Sequence, residues 1–512
     1  MALDRRSGII LHPTSLPGPY GIGTLGQEAF NWINFLSDSG QHLWQVMPLG
    51  PTGYGDSPYQ CFSAFAGNPY LINLEKLVEE GLLSADDKVE DPGFPATHVD
   101  YGPVISWKLE RLAKAYDNYA DGATAEQKKR FKAFCKAQAY WLDDYALFMA
   151  VKEAHEGVAW NAWDEAIRVR EEKALKSWTK KLKPEIERQK VWQWLFSEQW
   201  SAVRAYANSK DIEIIGDIPI FIAFDSADAW ANRELFYIDA KGNPELVAGV
   251  PPDYFSATGQ RWGNPLYRWK EMKKSGYSWW IDRFKSTLEF VDIIRVDHFR
   301  GFEAYWEIPA SEPTAVKGKW VKGPGQSFFD AISKAFENAP IIAEDLGVIT
   351  PGVEALRDDN NLPGMNVLQF AFAADASDPY LPHNYIPNSV VYTGTHDNDT
   401  TRGWYTQASE AERDLVRRYL ARGDDNVVWE LVRLAFASVA NTAVIPLQDA
   451  LNLGSEARMN TPGQAAGNWS WRFSWEQIPH WIAPQLKELS ELYGRIPGQE
   501  EKDTVYRQSV TE

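Results

Sequence analysis

The residues of this chain best placed to do chemistry are carboxylates that directly follow short apolar runs. Ile293 and Ile294 lead into Arg295, Val296, Asp297 and His298. The two-residue side-chain repeat of an extended strand sets Arg295 and Asp297 on the same side. A guanidinium beside a carboxylate favours its ionised form, so Asp297 is expected to have a lowered pKa and to stand ready as a nucleophile. A salt bridge that only fills space fits the same spacing equally well. Ile341 to Ala343 lead into Glu344 and Asp345. An acid among apolar neighbours is pushed toward its protonated form, as a general acid requires. Either residue could serve, and a carboxylate that merely stabilises a helix start is the plain alternative. Val390 to Tyr392 lead, through Thr393, Gly394 and Thr395, to His396, Asp397, Asn398 and Asp399. Four polar groups in a row are costly to bury without a ligand or a hydrogen-bond network. A divalent cation is the rival occupant, although the interleaving of a calcium loop is missing. Together Asp297, Glu344 and Asp397 make a set suited to cleaving an acetal. One carboxyl protonates the leaving oxygen, one attacks the anomeric carbon or activates water, and the third holds hydroxyls and stabilises the charge developing on the sugar ring.

Such convergence needs a scaffold that brings separate strand ends to one place. Eight short apolar runs each end in polar or Gly/Pro-rich residues and give way to a longer amphipathic stretch: 8–11, 43–49, 212–222, 291–296, 341–343, 367–372, 390–392 and 443–447. Continuous apolar runs separated by helical patterns imply parallel strands buried on both faces. Eight of them predict an α/β fold, a closed (β/α)8 TIM barrel, with active groups at the C-terminal ends of the strands. The chain is read as one catalytic barrel over 1–512, carrying two insertions. A mainly helical subdomain spans 68–210, its periodicity clearest from Ser106 to Ser209, and a loop-rich insertion rich in Gly, Pro, Trp and Tyr spans 224–289 and covers the active site. The polar stretch from Ser490 on is expected to end in a frayed tail.

Composition narrows the partners. With 70 acidic and 52 basic residues the net charge is −18, which argues against nucleic acid and leaves a neutral ligand as the easier choice. The 23 Trp, 22 Tyr and 24 Phe suit the core first, yet their flat faces also suit sugar rings. Cys61 and Cys135, the two cysteines, stand in no metal or redox spacing, so neither a disulfide framework nor a structural zinc is expected. The apolar run behind Arg5 and Arg6 stops at His12 and Pro13, which leaves no signal-peptide core and no membrane span. The expected location is cytoplasmic.

At this point the motifs themselves become specific. RVDHFRGF at 295–302, IIAEDLG at 341–347 and YTGTHDNDT at 392–400, with HPTSLPGPYGIGTLG at 12–26 and PLGPTGYGDSPYQ at 48–60, resemble the 4-α-glucanotransferases known as amylomaltases or disproportionating enzymes, glycoside hydrolase family 77. The resemblance runs from Gly8 to about Trp471. It implies a retaining double displacement on α-1,4-glucan from starch or glycogen, with glucose or maltooligosaccharides as acceptors. Asp297 would be the nucleophile, Glu344 the acid/base and Asp397 the transition-state stabiliser. It also implies that Arg295, His298, His396, Tyr59 and Asp217 surround the sugar at the cleavage site. Residues 251–264, with Pro251, Trp262 and Asn264, match a mobile loop over the cleft, and the segment from Asn460 to Gly463 matches a facing loop. Tyr54 and Tyr101 correspond to a secondary glucan site, and no metal or organic cofactor is implied. A retaining α-glucan hydrolase of the α-amylase type would use the same carboxylates.

Overall fold

The protein, as a computed structural model, is described over residues 3–84, 86–87, 92–252 and 256–498. Its described strands, in chain order, are β1 (Arg6–Ile10), β2 (Leu43–Gln45), β3 (Glu213–Pro219), β4 (Leu246–Val250), β5 (Gln260–Pro265), β6 (Ile293–Asp297), β7 (Ala304–Pro309), β8 (Lys319–Lys322), β9 (Ile341–Ala343), β10 (Gly364–Val367), β11 (Ser389–Tyr392) and β12 (Thr442–Pro446). Eight of them form one parallel sheet in the order β10-β11-β12-β1-β2-β3-β6-β9. The sheet curls until its edges meet. The Ala343 amide donates to the Pro363 carbonyl at 2.9 Å, and the Met365 amide donates to the Asp345 carboxylate at 2.7 Å. A side chain thus replaces a ladder bond at the seam, and the result is the expected (β/α)8 barrel.

The strand residues explain why this architecture forms. Ile214, Ile294, Ile342, Val391 and Val444 are buried, as are their sequence neighbours Ile215, Ile293, Ile341, Val390 and Ala443, so the strands contact apolar matter on both faces, as parallel strands covered by helices do. The outer layer includes helices Gln27–Asp38, Lys183–Ser209, Ser278–Phe290, Gln326–Ala335, Pro351–Asp359, Val427–Ala437 and Ile482–Leu492. Lys183–Ser209 turns Trp200, Val203 and Ala207 inward, and Trp200 meets Trp44 of β2 with ring centroids 6.0 Å apart.

The sixth strand lies earlier than the apolar run at 367–372 suggests. β10 is Gly364–Val367, and Leu368–Phe370 is a single 3-10 turn. Gly364 and Asn366 hide the strand from a hydropathy reading, whereas in the run that follows Leu368, Ala371 and Phe372 are buried outside the strand, with Phe372 against Trp404 and Tyr419.

Between β2 and β3 the chain includes helices Tyr101–Gly122, Ala125–Ala137, Ala139–Ala154 and Glu172–Lys181. Thr124 and Gln127 form a reciprocal cap at the start of the second, which satisfies two otherwise orphaned donors. Between β3 and β6 lie helix Ala227–Ala231 and strands β4 and β5. β4 and β5 join β7 and β8 in a four-stranded antiparallel sheet ordered β5-β4-β7-β8. Gly259, at φ 65°, starts the return into β5 where an added Cβ would come within 2.4 Å of the Val250 carbonyl. The start of the expected tail is anchored: Ser490 and Arg495 are buried, and Arg495 donates to the carbonyls of Phe436 and Asn441. The rest of the expected tail lies outside the described residues. No helix among the described residues is long and apolar enough to cross a membrane.

Candidate active site

A cleft of about 560 Å³ opens at the C-terminal ends of the barrel strands, lined among others by Asp297, His298, His396 and Asp397. Tyr54, Tyr59, Trp262, Asn264 and Asn460 line it as well. Asp217 and Arg295 lie buried beside it, while Glu344 is half-buried behind His298.

Arg295 is the centre of the charge arrangement. Its Nη1 donates to Asp297 Oδ1 at 2.9 Å and to Asp217 Oδ2 at 2.5 Å. The Tyr59 hydroxyl donates to the same Asp217 oxygen at 2.8 Å. The expected net lowering of the Asp297 pKa does not hold. Burial raises it well above the usual carboxylate range; Arg295 opposes that, but Asp217, Glu344 and Asp397 add to it. One guanidinium is shared by two carboxylates inside a field of four.

Glu344 follows β9 and is tied to the end of β6. His298 adopts φ 53°, a left-handed conformation uncommon outside glycine, which aims its amide at Glu344 Oε2, 2.6 Å away. The Leu346 amide donates to Oε1 at 2.9 Å. Burial raises the pKa of Glu344 despite these two donors and Arg295, the direction a general acid needs. Asp345, the alternative acid, is committed elsewhere: it accepts from Met365 and is paired with Arg357 across the seam.

Asp397 projects from the turn after β11. Its Oδ1 accepts from Asn460 Nδ2 at 2.6 Å, and His396 Nε2 lies 3.5 Å from Oδ2. Arg458 ties the two loops together, donating to the carbonyls of Asp397 and Asn460, each at 2.7 Å. Asn398 turns back onto Thr395 and Asp399 onto Thr400, Gln407 and Ser455. The polar run therefore diverges into separate hydrogen-bond sets. Among the described residues no group of three His, Cys, Asp or Glu is arranged to hold a metal ion.

Burial lowers the pKa of His396 against the pull of Asp397, and takes His298 down to about 3. Both imidazoles are thus neutral near pH 7 and serve as dipolar hydrogen-bonding groups. Trp262 belongs to β5 and sets its ring edge-on to His298, centroids 4.8 Å apart at 85°. Asn264 is buried and donates to the Ile222 carbonyl at 2.8 Å, fixing the chain beyond β3. Pro251 follows β4; of the 251–264 segment, Asp253, Tyr254 and Phe255 lie outside the described residues.

The two tyrosines assigned to a secondary site differ. Tyr54 is 77% exposed at the cleft rim. Tyr101 is buried, and its hydroxyl donates to the Trp469 carbonyl at 2.9 Å. Trp469 lines the cleft and is not among the residues expected from the sequence. It lies beyond the motif beginning at Asn460, and its rings stand 5.7 Å from Tyr59 and 5.8 Å from His396.

Residues 11–477 match the glycoside hydrolase family 77 profile, described as 4-alpha-glucanotransferase. The chain belongs to that family. It is 54% identical over 508 residues to the 4-alpha-glucanotransferase of Thermus thermophilus, covering 97% of this chain and 100% of the relative. It is 53% identical to that of Synechocystis sp., covering 96% and 99% of the two chains. Among solved structures, amylomaltase from Streptococcus agalactiae in complex with acarbose superposes with a TM-score of 0.93 at 38% identity, covering 96% of this chain and 99% of that one. Family 77 membership agrees with the barrel, and the three motif carboxylates stand at the barrel's strand ends.

Proposed function

We propose that the chain transfers segments of α-1,4-glucan to the 4-hydroxyl of glucose or maltooligosaccharides, by a retaining double displacement at Asp297. Transfer of glucan segments is the activity of its family, and the observation that carries the residue assignment is the meeting of Asp297, Glu344 and Asp397 from three strand ends around one cleft. Glu344 protonates the bridging oxygen. Asp297 attacks the anomeric carbon, the bond to that oxygen breaks, and the reducing-end fragment leaves. Glu344, now ionised, takes the proton of the acceptor 4-hydroxyl, whose oxygen attacks the same carbon and displaces Asp297. Two inversions return the α configuration.

A single proton shared by Asp297 and Glu344 suits this sequence. Burial raises both carboxyls, and the hydrogen-bonded guanidinium sits on Asp297, not on Glu344. Of the two one-proton arrangements, ionised Asp297 with protonated Glu344 keeps an ion pair that the other gives up. In this reading Asp397, hydrogen-bonded to Asn460, stabilises charge on the ring, and Trp262 beside His298 shields the ester from water.

Incubation with maltotriose alone tests the reading. A ladder of shorter and longer oligomers is expected, with α-configured products. Shortening alone, with no dependence on acceptor, would make the protein a hydrolase of the α-amylase type and sink the transfer assignment.

A further inference from the structure

Trp469 combines features that no packing role requires. Its φ is 63°, a conformation in which a bulky residue is strained and which persists only where its surroundings fix it. They do so from two sides. Its amide donates to the Met459 carbonyl at 2.7 Å, and its carbonyl accepts from the hydroxyl of Tyr101 at 2.9 Å. Tyr101 begins helix Tyr101–Gly122 of the helical insertion. The chain just before it is stitched to the chain just after Trp469, since the Val99 amide donates to the Ser470 carbonyl at 2.7 Å and the Arg472 amide to the Thr97 carbonyl at 2.9 Å.

This clamp sets the Trp469 ring against two others. Tyr59 and His396 stack with centroids 5.1 Å apart and planes inclined by 17°, and Trp469 leans on both, inclined by 40° and 38°. Each of those rings reaches a different part of the charge arrangement. Tyr59 donates to Asp217, which shares Arg295 with Asp297, and His396 lies beside Asp397. The three-ring cluster therefore joins the side of the site that holds the nucleophile to the side that holds the third carboxylate.

We propose that Trp469 is a positioning residue for the reacting centre, fixing Tyr59 and His396 relative to one another, and that Tyr101 of the helical insertion acts through it. This assigns the buried Tyr101 hydroxyl to the spacing of the site. The inference rests on the proposed carboxylate roles, and the helical insertion becomes part of the catalytic scaffold.

The test compares Tyr101→Phe, Trp469→Phe and Trp469→Gly with the parent protein, reading kcat and KM for maltotriose consumption together with Tm. Loss of the Tyr101 hydroxyl is expected to lower kcat roughly tenfold, because small misplacements of reacting groups cost rate steeply, with KM within about twofold. Glycine accepts a positive φ without strain, so Trp469→Gly spares the loop and removes only the ring. A kcat loss larger than that of Trp469→Phe, in protein whose Tm stays well above the assay temperature, supports the inference. Parental kcat in Trp469→Gly overturns it. So does a Tyr101→Phe protein with parental kcat on maltotriose and a KM that rises only with longer glucans, the pattern of a glucan contact. Maltotriose consumption is counted whatever the product, so a finding of hydrolysis without transfer would refute the activity reading while the ring effect is still measured.

Discussion

Replacing Lys108 with methionine should make the protein more stable, and by an amount that depends on pH. Lys108 lies on the inward stripe of helix Tyr101–Gly122 with Val104, Leu112 and Ala115. It is fully buried, and its Nζ has no hydrogen-bond partner among the described residues. Burial lowers its pKa from 10.5 to about 7, outweighing the attraction of Glu75 and assisted by Arg472. Each pH unit of that displacement corresponds to about 1.4 kcal/mol, so holding the amine in the fold at pH 7 costs on the order of 5 kcal/mol relative to the unfolded chain. Between pH 7 and 10.5 the unfolded state binds a proton that the folded state does not. Stability must then rise with pH across this window and level off above it. Methionine matches the unbranched stem and has no charge to desolvate. With an unfolding entropy of about 2.1 cal/mol/K per residue, 512 residues and cooperative unfolding, the gain at pH 7 amounts to roughly 4–5 °C in Tm. Calorimetry of parent and variant side by side at several pH values isolates this group, because every other titration is common to both. The variant's advantage should shrink steadily toward pH 10, with kcat unchanged throughout. A Tm difference that stays constant from pH 7 to 10, or a variant less stable at pH 7, would refute the reasoning.

Three further outcomes concern the cleft. Trp262→Ala opens the side of the site beyond His298 and should raise the share of hydrolysis over transfer; an unchanged ratio of glucose release to oligomer formation would remove Trp262 from solvent exclusion. Asn460→Ala deletes the 2.6 Å hydrogen bond to Asp397. Because bonds to charged groups contribute about 1.5–3 kcal/mol, kcat should fall roughly 10- to 100-fold with a smaller change in KM, and equal losses in binding would count against Asp397 acting on the transition state. Asp217 raises the pKa of Asp297, so Asp217→Asn should move the acid limb of the kcat/KM profile to lower pH. A shift to higher pH would mean that the loosened hold on Arg295 outweighs the lost charge.

The barrel and the carboxylates were legible because both are signalled locally. Runs such as Ile293–Ile294 and Ile341–Ile342 read as strands since parallel strands leave no polar face, and Asp297, Glu344 and Asp397 stand within a few residues of such runs. β10 escaped because Asn366 and Gly364 interrupt its apolar text, while Leu368, Ala371 and Phe372 are apolar because they are buried outside the strand. Trp469 was hidden for a different reason: its importance comes from partners at Tyr59, Tyr101 and His396, and from a backbone angle that composition does not reveal.

The charge state of Asp297 carries this furthest. Read along the chain, its nearest ionisable neighbour is Arg295, and a lowered pKa follows. In the fold that cation is shared with Asp217, while Glu344 and Asp397 arrive from other strands. An enzyme that uses one carboxyl as nucleophile and another as acid needs one proton held between them at neutral pH. With Asp297 as the proposed nucleophile and Glu344 as the proposed acid, full ionisation would leave Glu344 nothing to donate, and full protonation would disable Asp297. On the proposed roles, one guanidinium among four carboxylates favours keeping that proton, and its hydrogen bond to Asp297 favours Asp297 as the ionised partner. The sharing follows from β3 lying beside β6 in the barrel, with Asp217 paired in register with Arg295. The order of strands is therefore itself a determinant of the site's acidity.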